Sequence, residues 1–461
     1  MKTFLILLTL AASALAGEFR VGVAAVPVTP PQVMPMAGYY NTRLAEGTHD
    51  DLFAKAIVFE QDGAQAAMVA LDLVSIGRPV VEEARKLIEQ DTGIPGAHVM
   101  ISATHSHTGP LLNYGSSRME AQGGNLPVAV NYLKELPARI AASVKQAQVK
   151  LAAAKVSAGV GREERLSFNR RFHMKDGTVG WNAGKLNPNI VKPAGPIDPA
   201  VPVVYLETPK GQSIATYVNF AMHLDTVGGL QFSADYPYTL AALLARVKGP
   251  DMLTIFTIGT AGDINHIDVS TREPQKGHGE AARIGTILAA EVLRTYWKMQ
   301  PLTAGPPRVR SEIVKLPLPK LEPGDVEKAA TLARRYGGKD EPKFLEKVFA
   351  FKVLDVAARE GKPHDAEVQV IALGNDIAWV ALPGEIFVEL GMAIKEASPF
   401  KHTIVVELAN GLVGYVPTKR AWSQGNYEVV SARVAEGSGE MLVESAVKLL
   451  QELKPKQTAN P

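Results

Sequence analysis

A short polar run with two histidines carries the clearest chemical signal in this chain. Thr104-His105-Ser106-His107-Thr108 follows the apolar run 99–103, which has the composition of a buried strand. Ligands of open α/β sheets bind beyond the carboxyl ends of the strands. Residues two apart on a strand point to the same side, so His105 and His107 can address one site. A His-x-His pair supplies half of a tetrahedral zinc shell, although on its own it is equally typical of a solvated loop.

Two further residues stand at the ends of apolar segments. His223 ends the segment 214–223, and Glu385 follows the apolar run 376–382 in the sequence Leu382-Pro383-Gly384-Glu385. Taken singly, His223 is typical of a structural hydrogen-bonding residue, and Glu385 of a carboxylate at a helix start. A carboxylate beside two imidazoles is also the donor set of two-His, one-Glu catalytic zinc sites. The spacing therefore leaves both interpretations open.

Two glycine-containing segments complete the set of candidates. The turn at 259–266 contains Gly262-Asp263 but lacks the Lys and the Ser or Thr of a phosphate-binding loop, which excludes a nucleotide site there. The segment 410–428 holds Tyr415 and Tyr427 in an aromatic turn of low specificity.

The composition predicts a folded core and excludes several classes of function. Hydrophobic residues make up 46% of the 461 residues and charged residues 21%. The net charge of +2 and the lack of a basic run argue against a nucleic-acid partner. There are no cysteines, so disulfides and thiol chemistry are excluded, and a metal site has to use His, Asp, Glu or Tyr.

The first sixteen residues have the pattern of a secretory signal peptide. Lys2 provides the positive start, 4–12 the apolar stretch, and Ala14-Leu15-Ala16 the small-x-small cleavage site. The apolar stretch is much shorter than the ~20 residues of a membrane span. We therefore expect a secreted or periplasmic protein that begins near Gly17.

The rest of the chain predicts a single large α/β catalytic domain at 17–455. Mixed β-sheets should be flanked by helices, with the metal site at the carboxyl ends of the strands. A helical excursion is expected at about 322–361 and a frayed tail at 456–461. No internal repeat is visible in the sequence. The main predicted strands are 66–73, 97–103, 201–207, 214–222, 252–258, 376–382 and 403–408, and the main predicted helices are 79–89, 131–149, 238–247, 281–299, 386–397 and 441–453.

Taken together, these motifs resemble those of the neutral/alkaline (non-lysosomal) ceramidases. Thr-His-Ser-His-Thr-Gly-Pro at 104–110 is similar to the Thr-His-Thr-His-Ser-Gly-Pro element of that family. The resemblance extends from about residue 20 to 450, and the other segments follow in the family's order: 21–23, 36–39, Asn169-Arg170, 219–223, Gly262-Asp263, 383–385, Gly414-Tyr415 and 424–428.

The resemblance implies a secreted zinc-dependent amidohydrolase that cleaves the N-acyl amide bond of ceramide, or of a similar lipid amide, with a zinc-activated water. It implies one Zn²⁺ per chain, and His107 matches the general base. Arg170 and Tyr427 match groups that position the substrate and stabilise charge on the scissile amide. The residues that match the zinc ligands are His105, His223, Glu385 and Tyr415.

One departure from the family concerns the substrate pocket. Where the family has Gly-Asp-Val-Ser-Pro-Asn, this chain has Gly-Asp-Ile-Asn-His-Ile at 262–267. Asn265 replaces the serine, and we expect it to bind substrate through a hydrogen bond to a carbonyl. The alternatives are a zinc hydrolase of the same fold for a different amide or ester, or a non-catalytic binding homologue. The expected partner is a small lipid-like amide, with transient membrane-surface contact and no obligate protein partner.

Overall fold

Three mixed β-sheets with the same strand connections form the centre of the molecule. A computed structural model of the chain describes residues 17–31 and 33–454. The predicted signal peptide (1–16) and the predicted tail (456–461) lie outside the described residues. In the part that is described, no helix is both long and apolar enough to cross a membrane.

The strands alternate along the chain with the helices that cover them. In chain order the strands are β1 Arg20–Pro27, β2 Gly47–Thr48, β3 Phe53–Gln61, β4 Ala64–Leu71, β5 Val99–Ala103, β6 Ala152–Ala153, β7 Lys155–Arg162, β8 Phe168–Asn169, β9 Arg171–Met174, β10 Val179–Trp181, β11 Ile190–Pro193, β12 Ala200–Glu207, β13 Ser213–Phe220, β14 Gln231–Phe232, β15 Leu253–Ile258, β16 Ile264–Asn265, β17 Gln300–Pro301, β18 Pro307–Leu316, β19 His364–Leu373, β20 Ile377–Ala381, β21 Glu385–Ile386, β22 His402–Val406 and β23 Tyr415–Val416.

The helices are mostly amphipathic and include several short turns near the site. In chain order they are α1 Arg78–Thr92, α2 Ser117–Met119, α3 Pro127–Val149, α4 Tyr236–Lys248, α5 His278–Tyr296, α6 Asp325–Ala333, α7 Phe344–Ala357, α8 Val388–Ala397, α9 Lys419–Trp422, α10 Tyr427–Ser431 and α11 Ser438–Leu453.

Each large sheet is built in the same way. Two antiparallel pairings are followed by a helix that returns the chain to a parallel strand, and a long second helix then packs against the sheet. The first unit is β1, β3, β4, α1, β5 and α3, the second is β7, β12, β13, α4, β15 and α5, and the third is β18, β19, β20, α8, β22 and α11. The fold thus repeats a unit that the sequence does not reveal.

The three sheets share one apolar core. Trp379 of the third sheet is fully buried and stacks at 5.7 Å on Phe59 of the first. Its ring also lies 5.9 Å from that of Tyr217 in the second sheet, measured between centroids. The outer face of each sheet is covered by its own helices, so both faces of the central strands are apolar.

The predicted fold class is confirmed, but the long strands β7, β18 and β19 were not predicted. The predicted segments from 66 to 258 match β4, α1, β5, α3, β12, β13, α4 and β15 within a few residues at each end. The prolines at 301–323 suggested a connection, yet β18 lies inside that stretch. Its central part alternates polar and half-buried residues at the sheet edge, where a strand carries little hydrophobic signal. The helical excursion at 322–361 corresponds to α6 and α7.

The close contact between β1 of the first sheet and α3 can be tested by adding a side chain at Gly22. A Cβ on Gly22 would lie 1.9 Å from the backbone oxygen of Ala147 in α3. We expect Gly22→Ala to lower the free energy of unfolding by about 3 kcal/mol, since neither backbone can yield without separating sheet and helix. Gly47→Ala is the control, because its Cβ would meet only the Gln231 side chain at 3.7 Å. Urea unfolding measures both, and equal stability of the two variants would contradict this packing.

Candidate metal and substrate site

The parallel strand pairs of the three units all end at one place, and the predicted site residues lie there. His105 follows β5 of the first unit, His223 follows β13 of the second, and Glu385 follows β20 of the third. Loops from different units are hydrogen-bonded to one another: the Ala103 N–H donates to Leu408 O at 3.1 Å. The site is therefore assembled from separate sheets and depends on how they pack.

The backbone at His105 is not a strand. β5 ends at Ala103, and His105 adopts the left-handed conformation with φ of 81°, with its N–H donating to Leu73 O at 2.9 Å. The expectation that strand alternation aligns the two histidines is therefore wrong; a turn brings the rings of His105 and His107 to 4.7 Å. Gly38 leaves room for the second ring, because a Cβ there would lie 2.7 Å from the Cβ of His107. A non-glycine residue in this conformation stores local strain.

Backbone carbonyls fix the orientation of two imidazoles. The Nδ1 of His105 lies 2.7 Å from Val74 O, and the Nδ1 of His223 lies 2.9 Å from Ala261 O. A carbonyl only accepts, so each Nδ1 carries the hydrogen and each Nε2 presents a lone pair. His107 differs, because its buried Nδ1 has no hydrogen-bond partner among the described residues.

The free nitrogens converge with the carboxylate of Glu385. The Nε2 atoms of His105 and His107 lie 3.1 Å apart, and the ligand atoms of His105, His107 and His223 all lie within 4.8 Å of one another. Glu385 Oε2 lies 3.5 Å from His105 Nε2 and 3.4 Å from His223 Nε2. That oxygen is buried without a hydrogen-bond partner in the described part of the chain. An orphaned buried carboxylate oxygen facing imidazole lone pairs fits a divalent metal ion.

The protonation states of these groups suit a metal. Burial, reinforced by His223, lowers the pKa of His105 to about 4. Burial beside His105 lowers the pKa of His107 well below its usual value. The pKa of Glu385 is lowered even though burial opposes this, because His223 and His105 adjoin the carboxylate. At neutral pH the site thus presents neutral imidazoles at His105 and His107 and a charged carboxylate at Glu385.

Tyr415 and Arg170 lie on one side of this cluster. An Arg170 Nη2 hydrogen donates to the Tyr415 hydroxyl at 3.1 Å, and Nη1 lies 3.3 Å from His223 Nε2. Although burial opposes the charge, Tyr415 and Glu428 hold the pKa of Arg170 well above its usual range. Burial beside Glu385 raises the pKa of Tyr415, which is therefore a neutral phenol unless a cation binds beside it.

A buried carboxylate that sequence reasoning missed holds Arg170 in place. Glu428 accepts from Nε of Arg170 at 2.9 Å and from Nη1 of Arg171 at 2.8 Å, and its own side chain is fully buried. The motif containing Glu428 was recognised, but a bridge between two adjacent arginines and a helix some 250 residues later has no local sequence signal.

Two buried carboxyl groups, those of Asp263 and Glu407, support the segment that follows Glu385. Asp263 accepts from Asn169 Nδ2 at 2.7 Å and from the Val388 N–H at 2.9 Å, and burial raises its pKa to about 6. Glu407 accepts from the Ile386 N–H at 2.7 Å, and burial raises its pKa well above the usual range. Both carboxyl groups therefore act on the site through the backbone next to Glu385.

Asn265 forms its hydrogen bonds with residues that do not belong to this cluster. Its Nδ2 donates to Asn182 Oδ1 at 3.0 Å, and its Oδ1 accepts from the Ile267 N–H at 3.0 Å. Both ends of the amide are thus engaged within the protein, and its role in substrate binding stays a prediction. The neighbouring His266 pairs with Asp225 at 3.1 Å. Burial opposes its charge, but the Asp225 carboxylate raises the pKa of His266.

A cavity of about 580 Å³ leads from the surface to the cluster. Glu385, Tyr415 and Tyr427 line its inner part, whereas the helical excursion supplies an outer wall through Asp355 and Arg359. Another cavity, of about 420 Å³, lies between β7 and α5 and contains none of the predicted site residues.

Comparison with solved structures identifies the fold. A crystal structure of neutral ceramidase from Pseudomonas aeruginosa is similar with a TM-score of 0.72, over 96% of this chain and 76% of that chain, at 19% sequence identity. A ceramidase complexed with C2 gives a TM-score of 0.73, over 96% of this chain and 77% of that chain, at 18% identity. No protein-family model and no curated protein matches the sequence. The chain therefore has the neutral ceramidase fold, which confirms the resemblance at the level of the fold.

The bridge formed by Glu428 can be tested by removing its charge. We expect Glu428→Gln to lower the free energy of unfolding by about 3 kcal/mol, because two buried guanidinium groups lose their counter-charge. The control is Glu389→Gln, which breaks an ion pair with the exposed Arg420 and should cost less than about 1 kcal/mol. Urea unfolding measures both, and a Glu428→Gln variant no less stable than the control would contradict this account.

Proposed function

We propose that this chain is a metal-dependent amidohydrolase of the neutral ceramidase type, with zinc as the metal and a lipid-like N-acyl amide as the substrate. The observation that carries the proposal is the convergence of His105 and His223, from two sheets, on the carboxylate of Glu385 from the third sheet, which lines the cavity. The neutral ceramidase fold of the chain supports it.

The proposed ligands are His105, His223, Glu385 and Tyr415. The Nδ1 hydrogen bonds of the two histidines direct their Nε2 atoms toward the Glu385 carboxylate, where both could bind a metal, and the carboxylate supplies the compensating charge. Zinc bound there would polarise the scissile carbonyl and make a water molecule more acidic. Hydrolysis consumes one water, breaks the amide C–N bond and leaves a carboxylate and an amine.

His107 is the proposed general base. Its imidazole is next to the ligand set, and no carbonyl holds its Nδ1 hydrogen, so this ring can change its protonation without losing an anchor. Such a group can take the proton from water and return it to the leaving nitrogen. The Nε2 of His107 lies as close to His105 as that of a further metal ligand would. The metal content of a His107 variant therefore distinguishes a general base from a metal ligand.

Arg170 and Tyr427 are proposed to stabilise charge on the substrate. The Tyr427 ring packs at 5.3 Å from that of Tyr415 and lines the cavity. Arg170 is fixed by Glu428 with Nη1 beside His223, where its charge favours a developing oxyanion. We also propose that Asn265 contributes to substrate choice and that the protein is secreted or periplasmic.

The first test is hydrolysis of a fluorescent short-chain ceramide by the purified protein. We expect turnover that disappears on chelation and returns when zinc is added, because the buried carboxylate and imidazoles need a cation. Turnover that survives complete removal of metal would overturn the proposal. A zinc-loaded protein without turnover on ceramide would favour a different amide or ester, and a protein that neither binds zinc nor turns over would favour a binding homologue.

Two histidine variants separate metal binding from proton transfer. We expect His223→Ala to lose the metal, and His107→Ala to keep it while the rate falls about 100-fold or more. Elemental analysis and steady-state rates provide the two measurements. His98→Ala is the control, because His98 precedes β5 at the end away from His105 and its side chain bonds to Gln65 O. Loss of metal from His107→Ala would move this residue into the ligand set, and full metal in His223→Ala would remove His223 from it.

A further inference from the structure

The cavity that reaches Glu385 is lined by more cations than anions. Its lining includes five cationic residues and three acidic ones, which are Arg78, Arg118, Arg359, Lys362 and Arg433, and Asp355, Asp365 and Glu385. His364 adds no charge near neutral pH, since burial lowers its pKa to about 4. A bound metal ion would neutralise the carboxylate of Glu385 at the inner end of the cavity. The net charge of the cavity lining would then be more positive.

Most of the lining charges already have partners. Arg433 donates to Asp355 at 2.7 Å, Arg78 to Glu82 at 2.7 Å, and Lys362 lies 3.4 Å from Glu360. Asp365 pairs with Lys315 outside the cavity. Two cations differ, because Arg118 and Arg359 form no ion pair within residues 17–31 and 33–454.

Arg118 is the unpaired cation that packs against the aromatic residues of the cavity. Its guanidinium carbon lies 4.5 Å from the centroid of the Tyr40 ring, and its Nε is buried with no hydrogen-bond partner among the described residues. The Tyr40 ring lies 6.5 Å from that of Tyr427, which in turn lies 5.3 Å from Tyr415. Arg118 thus stands behind a short row of aromatic rings that begins at the proposed ligands.

Its position is also fixed. α2, which carries Arg118, is tied to α7 through Asp355, whose carboxylate accepts from the Ser117 N–H at 2.8 Å and from the Ser116 hydroxyl at 3.0 Å. Arg359, just after α7, has its Nε and Nη2 held by the carbonyls of Lys362 and Pro363. The two unpaired cations therefore belong to one connected wall.

We infer that the preferred substrate of this site is an N-acyl amide with an anionic group, such as a carboxylate, on the side of the molecule that faces Arg118. This inference rests on the proposed function and refines it. A neutral lipid amide would leave the guanidinium without a hydrogen-bonding partner, whereas a carboxylate, phosphate or sulfonate accepts charge-assisted hydrogen bonds from it. Stacking on Tyr40 holds the planar group in a fixed orientation for such a partner.

Matched substrates test the inference on the full-length protein loaded with zinc. N-dodecanoylglycine and N-dodecanoylethanolamine differ only in a terminal carboxylate or hydroxymethyl group, and N-dodecanoylphosphoethanolamine supplies a phosphate. We expect kcat/KM to be about tenfold or more higher for at least one anionic substrate than for the neutral one. The two anionic substrates distinguish a carboxylate from a phosphate.

Arg118→Gln should raise KM about tenfold or more for the preferred anionic substrate, leave its kcat nearly unchanged, and leave the neutral substrate unaffected. Arg118→Lys should restore part of the preference. Arg139→Gln, which removes a charge from α3 outside the cavity, is the control. Calorimetric titration of the chelated protein with N-dodecanoylglycine gives a readout without turnover, and weaker binding by Arg118→Gln is expected there too.

The outcomes separate the two levels of the proposal. No hydrolysis of any amide by zinc-loaded protein would contradict the proposed function. Hydrolysis of the neutral amide at an equal or higher kcat/KM, or an equal effect of Arg118→Gln on neutral and anionic substrates, would overturn the inference while leaving the amidohydrolase in place. Thermal unfolding of each variant establishes that it is folded before its kinetics are compared.

Discussion

Burial of three imidazoles and a carboxylate in one small volume is the constraint on which the site depends. Each group costs free energy when it leaves water, and the cost is lowered only where its polar atoms find partners. Val74 O and Ala261 O provide such partners for two of the rings. The Nε2 lone pairs of His105 and His223 face Glu385 Oε2 and repel it. A cation bound between these atoms would attract all of them.

The three-unit architecture explains how these groups come together. Every parallel strand pair ends in loops, and the helix that joins the pair lies on the outside, so the loops of all three units meet at one end of the shared core. Residues that support the ligands then come from the partner loop: Ala261 O for His223, and Glu407 for the segment after Glu385. The groups that position the candidate ligands therefore come from all three sheets, and no single loop among the described residues contains the complete site.

The sequence predicted most of the long helices, several of the buried strands and a set of candidate ligands, because these carry apolar periodicity or a rare residue type; the buried strand β19 was not predicted. It did not predict the edge strand β18, whose pattern is weak, or the bridge from Arg170 and Arg171 to Glu428, which joins distant segments. It also assigned the alignment of His105 and His107 to strand geometry, whereas a left-handed turn aligns them. The sequence indicates a helical excursion at about 322–361 but not its location, and the fold places α7 at the wall of the cavity.

The left-handed backbone of His105 has a consequence for how this site can change over time. Of the twenty amino acids, glycine adopts that conformation most readily, so losing the imidazole for glycine would relieve strain in the turn. An imidazole at this position therefore lowers the stability of the turn, so a sequence change that restores stability here also removes a candidate metal ligand.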